Sequence, residues 1–94
     1  MLQVLVLAFF AGVLGANATP HFVKGITKEP FPSLLGPSPL VNVVAGWAML
    51  ALAVVLIELA DAGAHLGAAT AAAAAGVLAM GIFHATVGAF GREA

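Results

Sequence analysis

The 94-residue chain contains no cysteine and no tyrosine, and it is poor in charge, with three Lys and Arg against four Asp and Glu. Without cysteine there is no disulfide, no thiolate nucleophile and no Cys-ligated zinc or iron–sulfur centre. A net charge of -1 gives no basic footprint for nucleic acid. A soluble domain carries about 25% charged residues, whereas this chain has 7%. What is present is hydrocarbon: 63% of the residues are hydrophobic, and the mean hydropathy is +1.14. A chain this short cannot enclose so much apolar surface. The lipid bilayer is therefore its solvent and its first partner.

Proline is absent outside one stretch. Residues 17–47 hold all five prolines, Trp47, both lysines, both asparagines and His21. On either side lie three apolar runs. The first, residues 2–17, is broken only by Gln3 and just reaches the length needed to cross the hydrocarbon core. Ala16-Asn17-Ala18 resembles a signal-peptide cleavage site, but no basic residue precedes the run, which favours a retained helix over a cleaved leader. Residues 18–38 are expected to form a connection. Pro20, Pro30, Pro32 and Pro37 oppose a continuous helix, and Thr19-Pro20 suits the start of a short turn. Phe22, Phe31, Leu34 and Leu35 suggest that this loop packs down on the bundle. Ser38-Pro39 is a helix-start signal, an N-cap followed by proline in the first position, and opens a second helix over 39–60. Asp61 is expected to cap a third helix over 64–90. The expected fold is a single all-α membrane domain of three transmembrane helices, with a structured proline-rich loop between the first two.

Three spans put the amino terminus and the 58–65 turn on one side, and the loop and carboxyl terminus on the other. Lys24, Lys28 and Arg92 fall on the loop side, which the positive-inside rule assigns to the cytoplasm. The amino terminus is then outside. Small residues supply the expected packing positions: Gly12 and Ala16 at four-residue spacing in the first helix, and Gly81 and Gly88 one heptad apart in the third.

Polar chemistry is concentrated at the cytoplasmic mouth. Asn17 ends the first helix, His21 follows it, Asn42 opens the second, and His84 lies two turns before the end of the third, about 10 Å deep at 1.5 Å per residue. A histidine within a membrane helix is a functional-site hypothesis by default, and Asn17 or Asn42 can be its hydrogen-bond partner. His21 and His84 could relay a proton or bind a metal with a loop carbonyl. The simpler reading makes these residues interhelical pins worth about 1 kcal/mol or less each. Pinning is favoured, because their spacing matches no catalytic template. Glu58, Asp61 and His65 would share one helix face, but Gly63 makes them a solvated turn. Lys24 and Lys28 are too few for a lipid-specific patch. No cofactor and no metal is expected.

The pattern Asn17-x-x-Pro20-His21-Phe22, Gly25-Ile26-Thr27, Phe31-Pro32, Ser38-Pro39 and Asn42-Val43-x-x-Gly46-Trp47 resembles that of a group of uncharacterised small bacterial integral membrane proteins. The resemblance covers about a third of the chain and implies a multi-helix protein of the bacterial inner membrane. It implies no activity. The expected function is that of a non-enzymatic accessory or assembly subunit, associating with itself or with a larger membrane complex. The alternative is a small homo-oligomeric transporter or channel that uses His84, Asn17 and Asn42. Enzymatic chemistry is not expected, since no nucleophile–base pair accompanies the two serines, Ser33 and Ser38.

Overall fold

A computed structural model describes residues 1–88. It has three long helices, α1 (Leu2–Ile26), α2 (Pro39–Leu59) and α3 (Leu66–Thr86), with a short 3₁₀ turn, Ala62–His65, leading into α3. The described residues contain no strand. All three helices are long and apolar enough to cross a membrane, as expected of a multi-pass membrane protein.

The largest departure from the sequence reading is in α1. It does not end near Asn17; it continues through Pro20 to Ile26. Pro20 removes only one backbone bond, and membrane helices tolerate that loss when neighbouring groups compensate. The Thr19 hydroxyl donates to the Gly15 carbonyl at 2.8 Å within the same turn. Packing supplies the rest of the reason. The buried residues Val4, Ala8, Ala11, Ala18, His21 and Gly25 recur at three-, four- and seven-residue steps, forming one stripe on both sides of the proline. The actual stop is local. Lys28 adopts a left-handed φ of 63°, its N–H bonds Gly25 O at 3.1 Å and Glu29 N–H bonds Lys24 O at 2.9 Å, and Pro30 then forbids further helix. The expected loop over 18–38 therefore shortens to residues 27–38.

α2 starts as read. The Ser38 side chain accepts from Val41 N at 3.1 Å, with Pro39 in the first position. Asp61 has a different role from the expected one. It lies in the left-handed region at φ 55° and makes no side-chain cap bond. It turns the chain out of α2 and does not cap α3. At the far end α3 closes at Thr86, followed by Gly88 at a positive φ of 91°, a conformation that ends helices; the expected end near residue 90 lies outside the described residues.

α1 is the spine. It packs antiparallel to α2 and parallel to α3, while α2 and α3 do not pack on each other. A side chain at Gly12 would strike the Ala73 carbonyl, and one at Gly76 the Phe9 carbonyl, so α1 and α3 meet backbone to backbone. On the other flank, a side chain at Gly46 would meet Phe22 at 2.9 Å, and one at Gly25 would meet the Pro39 carbonyl at 2.7 Å. The expected packing role of Gly12 matches this geometry. Ala16 is half-buried. A side chain at Gly81 would meet nothing within 4 Å among the described residues; it faces outward, and Gly88 serves as a helix stop. Leu34 and Leu35 do not pack down either, being 84% and 79% exposed, whereas Phe31 is buried.

Candidate functional site

The four polar residues at the loop end of the bundle form two pairs. His21 and Asn42 face each other across α1 and α2, with Nδ1 and Oδ1 2.5 Å apart. His84 of α3 reaches Asn17 of α1, with Nε2 and Oδ1 3.0 Å apart. Each pair ties α1 to one neighbour. The proximity of the first has a backbone cause. His21 and Gly25 are four residues apart on α1, as are Asn42 and Gly46 on α2, so each polar residue shares a face with a glycine. The glycines draw the helices close enough for a short Asn side chain to span the gap.

Asn42 is fully buried and is the hub of the loop. Its Nδ2 donates to Phe31 O at 2.7 Å, to Ser38 O at 3.0 Å and, at 3.3 Å, to Pro37 O. Phe31 N–H closes the loop on Pro37 O at 3.1 Å, and Ser33 Oγ bonds Gly36 O. Carbonyls only accept, so the amide nitrogen must face them and Oδ1 must face His21. His21 therefore donates from Nδ1, which in the neutral form of the ring leaves the lone pair on Nε2. The ring is also edge-on to Phe31, with centroids 5.1 Å apart.

The second pair follows the same logic. Asn17 Nδ2 donates to the Met49 sulfur at 3.1 Å. A thioether cannot donate, so Oδ1 faces His84, whose Nε2 donates; in the neutral form of that ring the lone pair lies on Nδ1. Met49 is a partner that sequence reading did not identify. Gln3 is another: its Nε2 donates to Leu59 O at 2.8 Å and caps the end of α2 at the opposite face of the bundle. No spacing rule signals a contact between residues so far apart in sequence.

Between α2 and α3, with α1 as its floor, lies a cavity of about 610 Å³. Asn17, His21 and His84 border it, together with Met49, Met80 and Phe83, and the loop tip Leu34–Leu35 stands at its rim. A second cavity of about 310 Å³ lies further along the same trench, between Gly12 and Ala73 on one side and Ala53 and Ile57 on the other, with no polar lining.

The remaining candidates do not assemble. Glu58, Asp61 and His65 are exposed, and the break in helix after Leu59 separates them. Lys24 pairs with Glu29 at 3.4 Å on the surface, which contributes little. Among the described residues no group of three or more His, Asp or Glu could hold a metal ion. Arg92 and the carboxyl terminus lie outside the described residues. No family model matches the chain, and no curated protein or solved structure shows a detectable match.

Proposed function

We propose that the chain is a non-enzymatic accessory or assembly subunit of a bacterial inner membrane, docking onto a copy of itself or onto a larger membrane complex through α3. The observation that carries this reading is the outer face of that helix. Gly67, Ala71, Ala74, Leu78, Gly81 and Ala85 alternate at four- and three-residue steps and are all exposed. They form a heptad seam of mostly small residues opposite the face that meets α1. In lipid there is no hydrophobic force between helices, and small residues allow the close backbone contact that holds them together. The interior already uses Gly12, Gly25, Gly46 and Gly76 in this way; the α3 seam is the same device without a partner among the described residues. The Asn and His pairs act as pins that fix the three helices and the loop. The loop face is cytoplasmic and the amino terminus outside, an orientation supported by Lys24 and Lys28 at the loop.

The test is the assembly state in mild detergent. A stoichiometric larger partner or a defined homo-oligomer, lost on Gly81→Leu, supports the reading. A monomer unaffected by that substitution contradicts it. The transporter alternative is supported by the placement of His84 and Asn17 at one cavity, but a lining dominated by Leu, Met, Phe and Ala offers an ion no continuous polar path.

A further inference from the structure

We infer that the trench between α2 and α3 is a binding site for a neutral, membrane-dissolved molecule with a hydroxyl head, its hydroxyl donating to His21 Nε2 and its apolar body lying over α1. The first observation is the unused acceptor. His21 is only 7% exposed, and Nδ1 is committed to Asn42. Among the described residues none donates to Nε2, and no buried side-chain nitrogen or oxygen lacks a partner. Nε2 is therefore not enclosed by protein, and the His21 ring borders the cavity. His84, whose Nδ1 is the free acceptor in the neutral form of its ring, borders the same cavity.

The second observation is the shape and chemistry around it. A volume of about 610 Å³ falls within the size range of small-molecule sites, which are mostly apolar with a few convergent polar groups. The polar groups sit at one end, while the trench continues past Gly12 and Ala73 without any. This matches an amphiphile with a small head and a long tail. The head is neutral and donating: the two ring nitrogens left over are acceptors, and no Lys or Arg lines either cavity to hold a phosphate or carboxylate. A hydroquinone and an isoprenoid alcohol share this chemistry. The site is independent of the association reading, because the α3 seam faces away from it.

The test uses the full chain with ¹⁵N-labelled histidine in phosphatidylcholine nanodiscs. It is titrated with decylubiquinol, its oxidised quinone, farnesol and dodecane. At least one hydroxyl probe is expected to saturate and to shift the His21 Nε2 resonance, and the tighter of the two identifies the class of natural ligand. The quinone, lacking a donor, should bind about tenfold more weakly than the quinol, the loss expected for one buried hydrogen bond. His21→Phe should weaken the hydroxyl probes by a similar factor. Should that variant fail to fold, Ala48→Leu fills the cavity and leaves both pins intact, and it should abolish the shift. The inference is overturned if no hydroxyl probe saturates on folded protein, or if dodecane moves the resonance equally. It is also overturned if Ala48→Leu binds like the parent, or if Leu50→Cys cross-links to a second copy, which would place a protein helix in the trench.

Discussion

Asn42 and Asn17 are the same residue type in the same role, yet they differ in what depends on them. Asn42 is enclosed and holds three loop carbonyls as well as His21. Replacing it with Leu keeps the volume but takes the acceptor Oδ1 from the buried His21 ring and the amide donor from the loop carbonyls. The expected cost is about 2 kcal/mol, together with loosening of residues 31–37. Asn17 is half-buried and makes one bond to a histidine and one to a sulfur, so Asn17→Leu should cost about 0.6 kcal/mol, as for an ordinary interhelical bond in a membrane. Denaturant titration in detergent micelles measures both; equal costs would contradict the hub role of Asn42. The polar residues were legible in the sequence because they stand out against hydrocarbon. Their pairing was not, since Asn17 and Asn42 were equally plausible partners for His84. The choice depends on how closely Gly25 and Gly46 bring α1 to α2, which leaves Asn42 to His21.

At the scale of the helices, glycine position separates inner from outer contacts. Gly76→Val should force α3 off α1, because its Cβ alone would strike the Phe9 carbonyl; overpacking of this kind costs about 1–3 kcal/mol. Gly81→Ala meets nothing and should stabilise α3 by up to about 1 kcal/mol through helix propensity. A thermal-shift comparison of the two variants checks the contrast, and a destabilised Gly81→Ala monomer would contradict the outward placement. Hydropathy revealed three spans, and the Ser38-Pro39 signal located the start of α2 to the residue. The end of α1 was hidden because proline is a strong breaker in water. Its cost inside a packed membrane helix is small, and only the stripe continuing to Gly25 discloses that. The reverse error arose in α3, where Gly81 and Gly88 look alike by spacing. One lies on the outer seam and the other takes a positive φ that ends the helix.

For the whole molecule, the arrangement is a spine with two flanking helices, pinned at one end by the His–Asn pairs and at the other by Gln3. Such a three-helix assembly has little interior. Its buried hydrophobic residues are chiefly alanines, with Val4 and Phe31, and most large apolar side chains face lipid. The proposed orientation predicts that a cysteine placed at Leu2 is labelled from outside the cell and one at Leu34 only after permeabilisation; the reverse pattern would contradict it. The central claim is that the outer face of α3 is a docking surface, and the natural absence of cysteine allows a clean test. Single cysteines at Ala74, on the seam, and at Val55, on the exposed face of α2, are oxidised in native membranes. The account predicts a discrete cross-linked species, with a second copy or with one partner, from Ala74→Cys and none from Val55→Cys. Equal behaviour at the two positions, with the chain running as a monomer, would contradict it.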